Sequence, residues 1–383
     1  MVLIMKEVIL IMEGDSSDIN SWSNVPYFFS QELINRGIKV HRVNIKERGI
    51  FSIICKLVGR IHNICAIKTV YGVKNTALYQ YIVSRKISKI QKELKDSDCC
   101  ILLNYDYCLP KTDKMKTVLF SDWPANYYLS NHLNRKPSIL ENRTLRIQNT
   151  AINSADVVVT LFPRVYKYMN QHYPRANIHY IGNVINAFRT PEEITVAAEE
   201  HYKGDTFLFI GRKNYISGAV NLIETINKLN CEKNTNYKVA IIGLEKADFE
   251  PVLNMSAVTC YGFLRKNNID DCEIYYNLLR KCKAVVNTTE NWAGASSLIE
   301  ALSFGCPLIV SPFLDFVDTF GSDIQFGYYC SKNNSEHLNK CIEKLLLLSE
   351  LEYFQMCNNA QNSVKDFTWP VYMEKLIDLI ENS

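Results

Sequence analysis

The sequence predicts an α/β protein of two domains, each built on a parallel sheet covered by helices. The chain has 383 residues, more than one ordinary core holds. Short, uncharged, β-branched runs alternate with runs of helical spacing, as buried strands and amphipathic helices do. Between two such series, residues 186–203 contain Pro191, several acids and no buried pattern, which indicates a linker.

The first series predicts an N-terminal domain, residues 1–190. Its strands are expected at 7–12, 39–45, 99–104, 116–120, 156–161 and 178–185, with helices at 31–36, 141–153 and 163–172. Gly14 begins a polar loop directly after the first strand, where an open α/β sheet has its ligand crevice.

The second series predicts a C-terminal domain, residues 204–367, followed by an amphipathic helix at 368–383. Strands are expected at 206–210, 239–243, 258–262, 284–286 and 308–310, with helices at 270–280, 335–348 and 351–367. Gly211 and Arg212 come directly after the first of these strands.

Composition indicates a globular protein that stays where it is made. The apolar fraction is 47%, and no apolar run is long enough to cross a bilayer. Lys6 and Glu7 interrupt the opening apolar run, so we interpret it as a first strand and expect a cytoplasmic protein. The 13 cysteines include no Cys-x-x-Cys pair, which favours reduced thiols and predicts neither a metal site nor a disulfide framework.

Charge is distributed unevenly between the two halves. Residues 1–190 hold 26 Lys and Arg against 14 Asp and Glu, whereas residues 191–383 hold 17 against 26. A basic half predicts an anionic partner, which could be a membrane surface, a polyphosphate-bearing acceptor or nucleic acid. Nucleic acid is disfavoured because the basic half lacks the interleaved aromatic residues of a nucleic-acid reader.

The basic surplus is concentrated in residues 46–95, which contain 11 Lys and Arg but only two acids. Five apolar residues recur there at helical spacing: Ile50, Ile54, Leu57, Ile61 and Ile64. Such a segment either lies on an anionic bilayer, or is a core helix whose basic face is solvated.

Residues 284–311 predict a strand, a turn, a helix, a turn and a strand. The spacing of Ser297 and Glu300 suits a capping box at the start of that helix. The first amides of a helix have no intrahelical partners and lie at its positive end, so we expect Ala295, Ser296 and Ser297 to bind phosphate.

Residues 300–307, EALSFGCP, resemble the donor-binding signature of retaining glycosyltransferases of family 4, which have the GT-B fold. The resemblance implies that Glu300 contacts the donor ribose; the alternative is that it only closes the capping box. The family has another Glu eight residues earlier, where this chain has Trp292. Either Glu290 takes that role, or the donor sugar is contacted differently.

Residues 211–218, GRKNYISG, resemble the same family's phosphate clamp, G-R-x(4)-K-G. Arg212 matches, Ser217 stands where Lys is usual, and Lys213 could compensate as a point charge. Tyr261 and Phe263 fall where the family lines the base pocket, although plain core packing would also explain them.

Two further matches lie in the N-terminal half. Residues 22–27, WSNVPY, resemble a W-S-G-x-P-Y element of some of these enzymes, with Asn24 in the place of Gly. Asn tolerates the left-handed conformation, so the turn is expected to survive. Asp122 matches the Asp of a His-Asp pair that faces the donor sugar in the family, with Ser121 in the place of His; the alternative is that it caps a helix.

The resemblance implies two Rossmann-like domains facing across a cleft, with the C-terminal helix crossing back to the N-terminal domain. It implies transfer of a sugar from a UDP- or GDP-sugar to a glycan or polyprenyl-diphosphate-linked acceptor, in bacterial surface-polysaccharide synthesis. Asp122, Arg212 and Glu290 are the expected catalytic residues, with no cofactor and no metal. A sugar-nucleotide epimerase and a catalytically silent binding module are the alternatives.

Overall fold

A computed structural model describes residues 5–46, 49, 53, 54, 57, 74, 76–139, 141–188, 198–290, 295–331 and 333–383. The chain divides into two compact units, Met1–Asn183 with Trp369–Ser383, and Val184–Thr368. Each unit contains one six-stranded, wholly parallel sheet with flanking helices. This confirms the prediction of two Rossmann-like α/β domains.

Unit 1 has the strand order β2-β1-β3-β4-β5-β6. Its strands are β1 (Glu7–Met12), β2 (Lys39–Asn44), β3 (Cys99–Leu102), β4 (Lys116–Ser121), β5 (Val157–Thr160) and β6 (Ile178–His179). Its first helices are α1 (Val25–Asn35), α2 (Ala77–Glu93), α3 (Glu141–Ser154) and α4 (Pro163–His172), with short helical turns at Trp22–Asn24, Ala125–Tyr127 and Tyr128–His132.

Burial in unit 1 follows from strand position. β3 and β5 are buried throughout, as expected of central strands with helices on both faces. β2, sequence KVHRVN, lies at the sheet edge and contains no fully buried residue, so polar side chains are tolerated there.

A C-terminal helix, Trp369–Glu381, completes unit 1 and buries an apolar stripe that includes Trp369 and Tyr372. Trp369 packs edge-on against Phe29 of α1, with ring centroids 5.9 Å apart. Tyr372 packs in the same way on Phe120 of β4, at 6.1 Å. The last helix therefore packs on the N-terminal domain, as the sequence predicts.

Unit 2 has the strand order β12-β11-β10-β7-β8-β9. Its strands are β7 (Thr206–Ile210), β8 (Lys238–Ile242), β9 (Val258–Cys260), β10 (Ala284–Asn287), β11 (Leu308–Val310) and β12 (Gly327–Tyr329). Its helices are α5 (Ala198–Lys203), α6 (Ile216–Lys233), α7 (Ile269–Lys281), α8 (Ser296–Ser303), α9 (Leu314–Phe320), α10 (Ser335–Leu346) and α11 (Glu350–Val364), with short turns at Lys213–Tyr215 and Lys246–Asp248. The C-terminal helix of unit 1 is therefore α12.

The strand order reverses once in each sheet, between β1 and β3 in unit 1 and between β7 and β10 in unit 2. Loops that leave the carboxyl ends of two such strands diverge to opposite sides and open a crevice. These two positions are therefore where each unit is expected to bind a ligand.

Several expectations about individual elements need correction. Part of the predicted linker, Ala198–Lys203, is helix α5, and His201 within it is fully buried. The strand predicted at 178–185 covers only Ile178–His179. The sequence reasoning named no helix at Ile216–Lys233, where the structure has the 18-residue α6. It also missed α9 and β12, which are seven and three residues long and have too few positions to show a period.

The predicted amphipathic helix of residues 50–64 lies almost entirely outside the described residues. Ile54 and Leu57 are described, and both are exposed. The structure places a different basic helix, α2, in the second half of the 46–95 segment. Among the described residues, every helix is either too short or too polar to cross a bilayer.

Candidate functional site

The crevice edge of unit 2, formed by the loops after β7 and β10, contains a buried polar network. Asn287, Thr288, Thr289 and Ser311 are all buried there. The Thr289 hydroxyl donates to the Tyr215 carbonyl (3.2 Å), and the Ser311 hydroxyl donates to the Thr289 carbonyl (2.6 Å). These bonds join the loop after β7 to the loop after β10 and to β11.

Gly218 allows this close approach. A Cβ at this position would lie 2.6 Å from Thr289 Oγ1 and 2.9 Å from Asn287 Oδ1, closer than van der Waals contact permits. The two predicted motif segments, 211–218 and 288–307, are therefore brought together at the strand-order reversal.

A second close approach lies on the other side of the loop after β7. Gly243 has a φ of +95°, and a Cβ there would lie 2.5 Å from the Gly211 carbonyl oxygen. Its amide donates to the Gly262 carbonyl (2.6 Å). The loops after β7, β8 and β9 thus stack without intervening side chains.

That stacking places Arg212 over the ring of Phe263, with the guanidinium carbon 5.6 Å from the ring centroid. Phe263 is 55% exposed, so core packing does not explain it. Tyr261 is half-buried and packs on the core, so its packing alternative remains open.

Arg212 and Lys213, adjacent in sequence, have different partners. Lys213 Nζ donates to Asp248 Oδ1 at 3.0 Å. Arg212 is exposed, and no carboxylate in the described part of the chain forms an ion pair with it. The expectation that Lys213 compensates for Ser217 is therefore weakened, since its ammonium already has an anion. Ser217 itself is exposed in the first turn of α6.

The capping box predicted for Ser297 and Glu300 is wrong. Helix α8 begins at Ser296 with Ala295 as its N-cap, and no side chain in the described part of the chain caps it. Ser296 and Ser297 are half-buried in its first turn. Because the amino end has no side-chain cap, its first amides stay available to an anion.

Glu300 instead lies beneath the crevice edge, 2% exposed, with a full set of hydrogen-bond donors. Lys266 Nζ donates to both carboxylate oxygens at 2.6 Å. The Tyr275 hydroxyl donates to Oε2 (2.8 Å) and the Tyr276 hydroxyl to Oε1 (3.1 Å). Burial, followed by the Glu300 charge, raises the pKa of both phenols.

The Lys266 ammonium is held just as fully, because it also donates to the Asn186 carbonyl at 3.0 Å. Four hydrogen bonds from three donor groups occupy the Glu300 oxygens, so a ribose hydroxyl would have to displace one of them. The ribose contact stays a prediction that the geometry does not favour.

Glu290 is exposed in the loop that leaves β10. Trp292, which takes the place of the family's first Glu, lies outside the described residues. The role of Glu290 therefore stays a prediction.

In unit 1 the structure joins Asp122, at the end of β4, to the loop after β1. The Trp22 indole donates to Asp122 Oδ2 at 3.0 Å. Burial raises the pKa of Asp122 to about 6, although the indole hydrogen bond opposes the rise. The helix-cap alternative is wrong, because the following short helix has Pro124 as its N-cap.

The turn that presents Trp22 is unusual. Trp22, Ser23 and Asn24 have φ values of +37°, +53° and +70°. Asn24 adopts the left-handed conformation, as expected, and its side chain donates to the Ile19 carbonyl. Gly14, with a φ of +117°, donates its amide to Asn44 Oδ1 (3.1 Å).

The β1/β3 crevice edge of unit 1 carries an ionic cluster that the sequence reasoning missed. Lys74 Nζ lies 2.6 Å from Glu13 Oε2 and 3.9 Å from Asp106 Oδ2. The Tyr107 hydroxyl donates to Glu13 (2.8 Å), and Gln148 donates to Asp106 (2.6 Å). Burial raises the pKa of Asp106, while the Lys74 charge opposes this.

A usable signal existed for some of the missed residues. Thr288 and Thr289 follow a buried strand, as does Glu13, and polar residues at carboxyl strand ends are crevice candidates. Nothing in the sequence around Lys266 separates it from other loop lysines, so its pairing with Glu300 had no signal.

Among the described residues, one cluster has the side-chain types of a metal site, namely His201, Cys282 and Cys306, whose donor atoms lie within 4.8 Å of one another. It lies at the amino ends of the strands, where β10 and β11 begin. It is therefore separate from the crevice edge.

Two parallel six-stranded domains with crevices at their strand-order reversals define the GT-B class of fold. Residues 192–363 match the family model described as Glycosyl transferases group 1, a span that contains Arg212, Glu290 and Glu300. On this match the chain is a glycosyltransferase. No curated protein matches the chain.

Solved structures of similar fold match this chain over nearly its whole length and over nearly the whole of their own. WaaG, a glycosyltransferase involved in lipopolysaccharide biosynthesis, is 16% identical, with a TM-score of 0.66, and the match covers 98% of this chain and 100% of WaaG. Sucrose-phosphate synthase from Thermosynechococcus elongatus is 11% identical, with a TM-score of 0.68 and 98% of both chains covered. HepE from Anabaena, in complex with UDP and glucose, is 11% identical, with a TM-score of 0.59 and 99% and 100% covered.

Proposed function

We propose that this protein is a retaining glycosyltransferase of family 4 that moves a sugar from a nucleotide-sugar to a glycan or a polyprenyl-diphosphate-linked acceptor. The observation that carries the proposal is the β7/β10 crevice edge. There Arg212 and the amino end of α8, which have no carboxylate partner and no side-chain cap among the described residues, belong to loops that diverge from neighbouring strands. Both features attract phosphate oxygens.

The chemistry follows from where charge develops. Breaking the bond between sugar and diphosphate leaves negative charge on the diphosphate, which preorganised donors stabilise. In this proposal Arg212 and the amides of Ser296 and Ser297 supply those donors, and no metal or cofactor takes part. Phe263 borders the nucleotide, and Glu290 contacts the donor sugar.

The acceptor is assigned to unit 1. Its crevice edge has carboxylates, such as Asp122, and half-buried aromatic rings, such as Trp22. These groups suit a hydroxyl-rich acceptor better than a free anion. Asp122 is the catalytic group proposed there, because a carboxyl group with a pKa of about 6 can both accept and hold a proton near neutral pH.

The neighbours support the substrate class. HepE was solved with UDP and glucose, and WaaG takes part in lipopolysaccharide biosynthesis. We therefore propose a UDP-sugar before a GDP-sugar, and a role in bacterial surface-polysaccharide synthesis.

The donor assignment can be tested with a panel of UDP- and GDP-sugars, by following nucleoside diphosphate release with and without added acceptor glycans. We expect release from one donor, and a loss of at least a hundredfold in kcat for Glu290→Gln. Glu273→Gln, an exposed carboxylate on α7, is the matched control and should leave kcat unchanged. No release from any donor would overturn the proposal.

We further propose a cytoplasmic location with peripheral binding to the inner face of the membrane. The support is the Lys and Arg surplus of residues 1–190, together with exposed Leu78 and Tyr81 on α2 beside Arg85, whose guanidinium lies 5.0 Å from the Tyr81 ring centroid. Each basic residue near an anionic leaflet contributes about 1 kcal/mol.

Liposome flotation tests this location. We expect binding to anionic vesicles at low salt and release at 1 M salt, where the Debye length falls to about 3 Å. Neutral vesicles should bind weakly. If the protein binds neither vesicle type at low salt, the location is wrong and the basic surface is only a solvated face.

A further inference from the structure

Unit 2 encloses a cluster of one histidine and two cysteines away from its crevice edge. His201 lies on α5, Cys282 lies between α7 and β10, and Cys306 lies in the turn between α8 and β11. All three are essentially inaccessible, at 0%, 1% and 0% exposure. The two sulfur atoms are 3.8 Å apart, in contact but not bonded.

The surroundings of His201 determine its protonation. Nδ1 lies 2.7 Å from the Cys282 carbonyl oxygen, and Nε2 lies 3.1 Å from the Phe304 carbonyl oxygen. A carbonyl oxygen only accepts, so both ring nitrogens must carry hydrogen, and a ring with two N–H groups is an imidazolium. A buried cation of this kind requires a nearby anion.

Cys282 provides that anion. Burial alone would raise the pKa of its thiol, but the neighbouring Cys306 sulfur and the His201 ring, with its positive charge, lower the pKa to about 6. The Cys282 carbonyl and side chain in turn raise the pKa of His201 against the effect of burial. The cluster is thus an imidazolium–thiolate pair with a second thiol beside it.

The same geometry argues against a bound metal. A histidine ligand needs a nitrogen lone pair, and both nitrogens of His201 donate to carbonyl oxygens. Cys306 Sγ also lies 2.9 Å from the Leu279 carbonyl oxygen, which a thiol satisfies as a donor and a metal-bound thiolate would not.

A cleft open to solvent lies beside Cys282. This cleft of about 760 Å³ is lined by Gly204, Thr206, Tyr261, Leu278, Lys281 and Cys282. The cleft therefore borders the cluster at Cys282.

We propose that Cys282 and Cys306 form an oxidisable dithiol, with Cys282 as the attacking thiolate and Cys306 as the resolving thiol, and that small peroxides are its oxidants. The Cys282 thiolate attacks one oxygen of hydrogen peroxide, the O–O bond breaks, and hydroxide leaves, so that Cys282 becomes a sulfenic acid. The Cys306 thiol then attacks the Cys282 sulfur, water leaves, and a disulfide forms.

The disulfide would connect the end of α7 to the turn after α8. The sulfur atoms must close from 3.8 Å to about 2.0 Å. These two helices also carry the Tyr275, Tyr276 and Glu300 hydrogen bonds, so the change would act on the packing directly beneath the crevice edge.

The test treats the full-length reduced protein with hydrogen peroxide, alkylates it after unfolding, and maps the peptides by mass spectrometry. We expect a 282–306 cross-link that forms at least tenfold faster than buried Cys100 is modified. Cys100 is the matched control, because burial raises the pKa of its thiol to about 12. The cross-linking rate should rise with pH around a midpoint near 6, where an ordinary thiol would show a midpoint above 8.

Variants separate the roles. Cys306→Ser should leave Cys282 as a sulfenic acid that dimedone traps, and His201→Gln should slow the reaction at pH 7 by about tenfold, following the thiolate fraction. Both residues remaining reduced while exposed Cys231 is fully oxidised would overturn the proposal. One equivalent of zinc retained by the wild-type protein and lost in Cys282→Ser would also overturn it.

Discussion

The two crevice edges differ in whether their basic side chain has an acidic partner. At the β7/β10 edge of unit 2, neutral side chains such as Asn287 and Thr289 hold the loops together, and Arg212 has no anionic partner among the described residues. At the β1/β3 edge of unit 1, Lys74 lies between Glu13 and Asp106. Unit 2 therefore keeps a cation available to a ligand, whereas unit 1 neutralises its own.

This difference shows that the charge of a domain does not give the charge of its site. Residues 1–190 are the basic half, yet their described crevice edge carries more carboxylates than ammonium groups once Asp122 is included. The acidic half holds Arg212, which has no carboxylate partner within the described ranges. The basic surplus must therefore serve another surface, and we propose the membrane for it.

The largest expected effect concerns the buried ion pair under the edge of unit 2. Glu300→Gln leaves the Lys266 ammonium, 13% exposed, without its anion, and should cost about 3 to 5 kcal/mol in the free energy of unfolding by urea. Glu336→Gln, in an exposed pair with Lys340, is the control and should cost less than about 1 kcal/mol.

Adding Lys266→Met to Glu300→Gln should recover part of the loss, because no buried charge then remains. Equal, small losses at Glu300 and Glu336 would show that the charges of unit 2 are not held as tightly as the geometry indicates.

The next effect tests the carboxylate of unit 1. Asp122 has a pKa of about 6 in the folded protein and about 3.9 when unfolded, so between those values the folded state binds more protons. Stability should therefore fall as pH rises from about 4 to about 6, by about 3 kcal/mol, and then level off. Urea denaturation of wild type and Asp122→Asn should show the decline only in wild type.

If Asp122 acts as a base, activity should rise with pH around a midpoint near 6, whereas stability falls over the same range. Trp22→Phe removes the hydrogen bond that favours the carboxylate, so its midpoint should move to higher pH. A midpoint near 4 in the kcat/KM profile would remove Asp122 from the catalytic residues.

The third prediction concerns Arg212 of unit 2. Arg212→Ala should weaken nucleoside diphosphate binding by about tenfold to a hundredfold in calorimetry, since a charge-assisted hydrogen bond contributes about 1.5 to 3 kcal/mol. Lys213→Ala should weaken it less than about threefold, because Asp248 already neutralises that ammonium. Similar losses for both would contradict the assignment of Arg212 as the phosphate ligand.

The smallest effect concerns the neutral network that positions the edge of unit 2. Gly218→Ala pushes a methyl group against Thr289 Oγ1 and Asn287 Oδ1, both held by hydrogen bonds, and should cost about 1 to 3 kcal/mol. In an open helix the same change would stabilise the protein by about 0.5 to 1 kcal/mol. Ser217→Ala, one residue earlier and exposed, is the control, and thermal unfolding compares the two.

The sequence by itself determined the two α/β domains, most of their strands and the two loops that carry Arg212 and Glu290. It could do so because a strand buried on both faces requires a continuous apolar run, and a helix on its surface requires a period near 3.6. Both requirements are local, so they are visible in any short window of the chain. Gly211 and Gly218 were visible for a similar reason, because a close backbone approach requires a residue without a Cβ.

Only the tertiary structure decided which charges have partners. Lys266 and Glu300 are 34 residues apart in the sequence, and Trp22 and Asp122 are 100 residues apart. Lys74 lies between Glu13 and Asp106, which follow two different strands. It also replaced the Ser297–Glu300 capping box with a buried ion pair, and it brought His201, Cys282 and Cys306 together. Pairing depends on distance and burial in the folded chain. A charged side chain is stable without a partner in water, but once the fold buries it, the desolvation free energy must be offset by an opposite charge or hydrogen bonds.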